Sequence, residues 1–491
     1  MMPALLLFLP IVAGLLMPLM PAAAPRRLLP AVAAAHLALV IVCCVRPPAP
    51  MLFGILDPDA LSFIFLSLSS LLFFMSSLHA AGCLGEDAPV PIRSPDGRRN
   101  IANPQEQRVC ACLCFFLAAM TLVSLTRHLG ALWVGIEATT LATAPLIYVH
   151  RNRGSLEAAW KYLILCSVGL SMALLGNMLL SFAFHVPASP HAVSLNLPEL
   201  IAAAPQAQTA WLKPAFILLL VGYGVKMGLS PLHNWLPDAH SEAPSFVSAL
   251  LSGALLNCAF LGILRARQVC IPAGLGDFSG SLLVFFGLVS MGTAAVFIVG
   301  MGHYKRLLAY SSVEHMGILA LGVGLGGNAV FGAMLHTVNH SLTKAMLFLL
   351  AGNILRRYRT ASIHDVRGMR RVMPLTAALW MAGFLAVAGS PPFGPFVSEF
   401  SILLTMLRQE RGVIAFLYLA FLAVIFVGMS VPVARMVQDV PPPGLHQGNS
   451  RETLLNTGPQ VLLCALVLML GLYVPPWLTQ CLRAAAATLG G

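Results

Sequence analysis

Three basic side chains recur at four-residue steps in the apolar stretch HTVNHSLTKAMLFLL: His336, His340 and Lys344. On an α-helix that spacing stacks them on one face, about 6 Å apart along the axis. Four further ionisable residues interrupt apolar runs. Glu137 lies in LGALWVGIEATTLATAPLIYV, Lys226 in VGYGVKMGLSPLHNW, Glu314 in SSVEHMGI and Glu399 in PFVSEF. Each charge in hydrocarbon costs at least ~2.5 kcal/mol, so several together imply a polar or hydrated interior. Proton transfer is the chemistry they fit, because it needs groups of switchable proton affinity joined by water or hydrogen bonds. Burial weakens a lysine's hold on its proton, and a nearby carboxylate restores it. Glu137 is therefore expected to tune Lys226, which keeps its proton when the pair is close and releases it when they separate. The proton would pass by water and His336/His340 to Lys344, then to Glu399 and an outward exit.

Other ionisable residues are candidates for relay or access: Lys161, Asp238, His240, Glu242 and Glu314. Lys161 stands four residues after Glu157, so a helix-surface pair or a snorkelling lysine is the plainer reading. His315, beside Glu314, reads equally well as a hydrogen-bonded interior residue. The HxxxH of His336 and His340 could hold zinc, but Thr337, Val338 and Asn339 intervene where a metallohydrolase has the glutamate of HExxH. No metal is expected there. The eleven cysteines form no CxxC pair; Cys110, Cys112 and Cys114 alternate, and Cys43 and Cys44 are adjacent. They read as small apolar packing residues rather than ligands. No Walker loop appears, and no cofactor is expected to bind.

The elements that must position these groups are membrane helices. The chain of 491 residues is 58% hydrophobic and 10% charged, with a mean hydropathy of +0.84. A soluble globule carries roughly a quarter charged residues. The net charge of +11 sits between apolar runs without an aromatic-interleaved patch, which argues against nucleic acid. Apolar runs suited to a ~30 Å core number fourteen, the first at the N-terminus over 3–21 and the last over 459–478. The fold expected is all-α and integral to the membrane.

An even number of spans puts both termini on one side. Loops on that side hold eight Lys/Arg and the other side holds eighteen, including Arg93, Arg98, Arg99 and the cluster from Arg356 to Arg371. The positive-inside rule then places both termini on the outer face of a prokaryotic plasma membrane. The seventh span carries Gly228, Pro231 and Pro237 just after Lys226. The twelfth carries Gly389, Pro391, Pro392, Gly394 and Pro395 before Glu399, which is expected to end it. Proline removes a donor and clashes with the preceding turn, so both spans should be broken. Breaks five spans apart suggest two five-helix repeats, and an odd number of spans inverts the second relative to the first. The expected organisation is an N-terminal three-helix segment with its loop (1–108), two half-channel repeats (109–264 and 279–434) and a C-terminal loop with the last helix (435–491).

The same residues carry a family resemblance. Lys226 with PLHNWLPDAHSEAPSFVSALLSGALLNCAF, KRLLAYSSVEHMGI and HTVNHSLTKAMLFLLAGNIL resemble the signatures of antiporter-like subunits of respiratory complex I. DAHSEAP, SSVEHMG and the glutamate of PFVSEF are similar to the hydrogenase-4 component F branch of formate hydrogenlyase-type assemblies, with Mrp cation/proton antiporters as more distant kin. The resemblance implies fourteen spans, two inverted repeats and a relay role for Glu137, Lys226, His340, Lys344 and Glu399, with His336 matching the upstream histidine. Two positions depart from the pattern: Ser252 stands where relatives often have histidine, and His303 where they often have an acid.

The function implied is that of a proton-translocating subunit of a redox-driven complex. Its partners would be other membrane subunits and a peripheral hydrogenase- or quinone-reductase-like arm. The alternatives are Na⁺/H⁺ antiport of Mrp type, a subunit energising inorganic-carbon uptake, or a non-conducting scaffold.

Overall fold

A backbone in hydrocarbon must satisfy its own hydrogen bonds, and the apolar runs do so as helices. The computed structural model describes residues 2–21, 24–52, 54–84, 104–185, 194–442 and 452–491. The loop carrying Arg93, Arg98 and Arg99 lies outside them. Among the described residues there is no strand, only isolated bridges.

The helices are α1 (Met2–Leu16), α2 (Ala24–Val45), α3 (Ala60–Leu84), α4 (Pro104–Leu125), α5 (Leu129–Ile147), α6 (Arg153–Ala183) and α7 (Leu197–Ala203). They continue with α8 (Thr209–Met227), α9 (Trp235–Glu242), α10 (Ser245–Leu250), α11 (Leu256–Cys270), α12 (Gly276–Ile298), α13 (Tyr304–Leu325) and α14 (Asn328–Tyr358). The last are α15 (Met369–Val372), α16 (Pro374–Val387), α17 (Gly394–Arg408), α18 (Gly412–Gln438), α19 (Leu454–Leu472) and α20 (Pro476–Ala487). Eleven helical stretches among the described residues are long and apolar enough to cross a membrane, counting Ser245–Ile298 as one run of 54 residues kinked at Gly274. The protein is a multi-pass membrane protein.

α14 is not among the eleven, although it has 31 residues. It carries His336, His340 and Lys344 among other polar groups, and it is buried almost continuously from Ala329 to Ile354 between α10, α13, α16, α17 and α19. Lipid contact falls to other helices, which expose Trp160, Val413, Phe416 and Val427.

Both expected breaks are present and are closed alike. α8 ends at Met227; Gly228 takes φ 83°, its N–H bonds to Val225 O (3.2 Å) and that of Leu229 to Gly224 O (2.9 Å). α16 ends at Val387; Gly389 takes φ 62°, its N–H bonds to Ala386 O (3.2 Å) and that of Ser390 to Leu385 O (2.9 Å). This is a Schellman closure with glycine supplying the left-handed residue. Proline follows at the same distance in each, and the Ser230–Pro231 and Pro391–Pro392 bonds are both cis. Two details of the sequence reading are corrected. Pro237 is not in the break but in the first turn of α9, where no helical partner for its missing N–H is required. Glu399 does not end the twelfth segment: α17 continues to Arg408 because ILLTML extends the apolar helical pattern beyond it.

Several cations read from the sequence as loop charges lie inside. Arg265 is fully buried and donates to both Asp59 oxygens (2.5 and 2.8 Å), to Ser62 (2.9 Å) and to Gln268 (3.0 Å). Gln268 reaches Thr488 (2.8 Å), which ties α3, α11 and the C-terminal residues together. Burial pushes the Asp59 carboxyl up, but the Arg265 guanidinium outweighs it and holds the group at about 2.

Candidate functional site

The break after α8 delivers Lys226 into the protein rather than to lipid. Its side chain is fully buried, and Nζ donates to Tyr162 OH (2.6 Å) and Thr140 Oγ1 (2.7 Å). The ammonium also lies 4.5 Å from the Tyr162 ring centroid. Tyr162 OH bonds Thr143 (2.6 Å), and its ring packs on Trp235, whose indole donates to the Val225 carbonyl in the last turn of α8 (2.8 Å). Glu137 sits three residues before Thr140 on the same face of α5. It does not touch Lys226: Oε1 is 3.5 Å from Ser167 Oγ, and Oε2 is buried with no partner. The close Glu137–Lys226 pair expected from the sequence is therefore not formed in this conformation.

The candidate access groups divide by burial. Lys161 pairs with Glu157 (2.6 Å) and Asp238 (3.0 Å), and Asp238 pairs with Arg306 (2.7 Å), all on the partly exposed rim. Glu242 packs against Gly154 at the start of α6. His240 is buried against the Phe348 ring at 4.6 Å, with both ring nitrogens unpartnered. Lys305 is also buried and donates to Ala243 O (2.8 Å) and Ser241 O (3.3 Å) where the chain turns from α9 to α10.

α13, α14 and α17 assemble a second centre. Lys344 Nζ donates to Leu308 O (3.0 Å) and to Ser311 Oγ. Glu314 is buried with Oε2 unpartnered. His315 Nδ1 lies 2.9 Å from His336 Nε2, and His336 Nδ1 lies 2.9 Å from Ser398 Oγ. The Ser398 hydroxyl donates to Pro395 O (2.8 Å), so it accepts from His336. For two neutral rings, His336 then carries its proton on Nδ1 and its bare Nε2 accepts from His315 Nδ1–H. His315 Nε2 is buried without a hydrogen-bond partner, and the Val387 carbonyl at the end of α16 lies near the ring. The His340 ring lies 5.0 Å from that of His315, with both nitrogens unpartnered. Next to Ser398, Glu399 turns its carboxylate against Gly389 in the second break, with Oε1 buried and unpartnered.

His315, His336, His340, Lys344, Glu314 and Glu399 thus converge, whereas Glu137 and Lys226 form a separate centre. No hydrogen-bonded chain joins the two among the described residues. Asn257 on α11 donates to Ser341 on α14 (2.7 Å), and the next residue, Cys258, is a neighbour of Lys226. Ser252 bonds Ser312 (2.8 Å), so a hydroxyl occupies the position where the family pattern has histidine.

Sequence reading missed Tyr162, Ser398, Asn257 and the burial of Lys305. Thr140 was legible as Glu137 plus three; Tyr162 in WKYLILC carries no such signal. His303 caps α13 by accepting from Arg306 N (3.4 Å), as His128 caps α5 by accepting from Ala131 N (3.3 Å).

The comparisons with known proteins agree with this architecture. A hydrogenase-4 component F homolog of Methylacidiphilum infernorum is 34% identical over 433 residues, 86% of this chain and 87% of that protein. A chain of a membrane-bound sulfane sulfur reductase, an archaeal respiratory membrane complex, superposes with a TM-score of 0.82 at 20% identity, over 99% of this chain and 97% of that one. A chain of respiratory complex I from Thermus thermophilus does so at 0.81 and 23% identity over the whole of both. At those identities the two structures speak to fold alone. Residues 126–426 match the transmembrane family described as NADH:quinone oxidoreductase/Mrp antiporter, which takes in α5 to α17 and both centres, and the chain belongs to that family.

Proposed function

We propose that this chain moves protons across the membrane as one subunit of a redox-driven assembly, between the Lys226 centre and Glu399. The observation that carries this reading is the buried run His315–His336–Ser398 beside Glu399. It consists of hydrogen-bonded proton carriers with unpartnered acceptors at both ends, set against a helix break. Static packing would not favour so many buried ionisable groups, since apolar residues of the same volume stabilise a fold as well or better. On this reading the separated Glu137 and Lys226 are the arrangement from which the lysine releases its proton. Imidazole donors suit protons better than Na⁺, a hard ion that prefers oxygen ligands.

Fourteen spans in two inverted five-helix repeats, over 109–264 and 279–434, remain part of this proposal, with 1–108 and 435–491 flanking them. The matched Schellman closures at Gly228 and Gly389 support it, as do the matched histidine caps of α5 and α13 and the equal 31-residue lengths of α6 and α14. Termini on the outer face are proposed from loop charge. Moving the buried Arg265, Arg267 and Lys305 out of the tally leaves six Lys/Arg against seventeen. Cysteine labelling within 360–368 should report the cytoplasm, and labelling near Gly491 the outside; the reverse pattern overturns the assignment. The relatives' names point to hydrogenase-4- or complex I-like partners, with further membrane subunits and a peripheral redox arm.

The decisive experiment is proton uptake into vesicles holding the purified assembly, driven by its own redox reaction, with subunit content checked. Lys226→Arg keeps a cation but cannot release its proton, so pumping should fall at least tenfold while assembly survives. Wild-type pumping by that variant would exclude deprotonation of Lys226 from the cycle.

A further inference from the structure

His315 on α13, His336 on α14 and Glu399 on α17 each turn one donor atom toward a common point. The three atoms lie within 4.8 Å of one another, and all three side chains are buried. We infer that this point is a binding site for Zn²⁺ or a similar transition-metal dication, held by the two imidazoles and the carboxylate.

Three features of the site point the same way. Two histidines and a glutamate with a fourth position open is a zinc donor set, whereas Na⁺ and Mg²⁺ want oxygen ligands. The far nitrogen of each ring is already placed for a supporting contact: His336 Nδ1–H on Ser398 Oγ at 2.9 Å, and His315 Nε2 beside the Val387 carbonyl. Metal-binding histidines almost always hold their second N–H on such an acceptor, which fixes the ring and its tautomer. Finally, the site has unused donors. Glu399 Oε1 is buried without a partner, and so is Glu314 Oε2, a second carboxylate able to balance the ion's charge.

The protons balance without loss from the rings. In the metal-free arrangement His315 holds its proton on Nδ1. Coordination at Nδ1 moves that proton to Nε2, where the Val387 carbonyl accepts it; His336 Nε2 is already bare, and Glu399 binds as its carboxylate, any carboxyl proton leaving to bulk solvent as the ion enters. The ion takes the place of the His315–His336 hydrogen bond and so interrupts the file at that step. Inhibition therefore rests on the proposed proton role, but binding does not. Pro391 and Pro392 in the break beside Glu399 are exposed. The HxxxH pair of His336 and His340 is not this site: the ligands come from three helices, which spacing along one helix could not reveal.

The test uses the full chain purified in detergent, loaded with Zn²⁺, desalted, and examined for zinc content and by zinc-edge X-ray absorption. One zinc per chain is expected, in a nitrogen/oxygen shell at about 2.0–2.1 Å with imidazole scattering beyond it. His336→Gln and Glu399→Gln should each lose it, and Ser398→Ala should weaken it about 10- to 100-fold, with monodispersity and melting confirming that the variants fold. A sulfur shell at about 2.3 Å would assign the metal to cysteines and overturn the site. No retained zinc, or zinc indifferent to both ligand variants, would overturn it equally. None of these readouts depends on pumping, so failure here leaves the proton-transfer proposal standing.

Discussion

Lys226 and Tyr162 are in close polar contact, with Nζ 2.6 Å from the phenol oxygen and 4.5 Å from the ring centroid. Tyr162, rather than Glu137, is what the ammonium touches. The hydroxyl accepts from the lysine and is bonded in turn to Thr143 at 2.6 Å, so a lysine that shed its proton would leave Tyr162 free to turn its own O–H toward Nζ. The phenol thereby links the two protonation states of Lys226 to the threonines of α5.

Tyr162→Phe isolates that hydroxyl. The ring still packs on Trp235 and under the ammonium, so assembly should be retained. A hydrogen bond to a charged group is worth roughly 1.5–3 kcal/mol, which corresponds to a roughly ten- to hundredfold fall in redox-driven proton uptake. Uptake at the wild-type rate in vesicles of normal subunit content would remove Tyr162 from the path.

Gly389→Ala tests the second break. At φ 62° an added Cβ is strained, and it would also run into the Glu399 carboxylate. Gly300→Ala is the control, since Gly300 has φ 80° but nothing within 4 Å of the new Cβ. Backbone strain of about 1–3 kcal/mol should lower the melting temperature of both. The Gly389 variant should melt lower still and lose proton uptake, while Gly300→Ala keeps it. Equal behaviour of the two would mean that the contact with Glu399 is without consequence.

How much of this was legible follows from what each feature depends on. The helices and both breaks were readable because hydropathy, glycine and proline act over a few residues. The extension of α17 past Glu399 was misjudged, since Ser398 and Glu399 resemble the polar end of a span until their burial by α13 and α14 is known. Arg265 looked like a loop cation because Asp59, its partner, is 206 residues away. The two histidine rings that meet belong to different helices, and only His336 and His340 share a spacing. Stacking along α14 therefore suggested a His336–His340 step, where the folded chain makes a His315–His336 one.

The Asp59–Arg265 pair gives a pH dependence. The folded carboxyl is depressed to about 2 from an ordinary value of ~3.9. Its stabilisation is therefore complete above about pH 4 and disappears as pH falls through about 2. Asp59→Asn should lower the melting temperature at pH 7, with roughly 3 kcal/mol lost for a broken buried pair. The gap between variant and wild type should stay level from pH 8 down to 5 and narrow only below 4. A gap that narrows already between pH 7 and 5 would contradict the pairing.

Ser398 sets the direction in which the histidines pass a proton. With its hydroxyl proton on Pro395 O at 2.8 Å, Ser398 accepts from His336. In that arrangement His336 carries its proton on Nδ1 and its Nε2 is ready to receive from His315. Ser398→Ala removes the acceptor and leaves the buried Nδ1–H without its partner. The tautomer with the proton on Nε2 then becomes competitive, and in it His336 can no longer accept from His315. Loss of one such buried hydrogen bond is worth about 1–1.5 kcal/mol, enough to lower productive transfer roughly tenfold. Ser398→Thr keeps the hydroxyl and should restore most of the rate. Nitrogen-15 NMR of labelled histidines reads the tautomer directly: a single Nδ1-protonated His336 signal in the wild type should give way to a mixture in Ser398→Ala. Reduced uptake with an unchanged tautomer would assign Ser398 a packing role instead, and an unchanged rate with a mixed tautomer would show that the His315–His336 step does not limit transport.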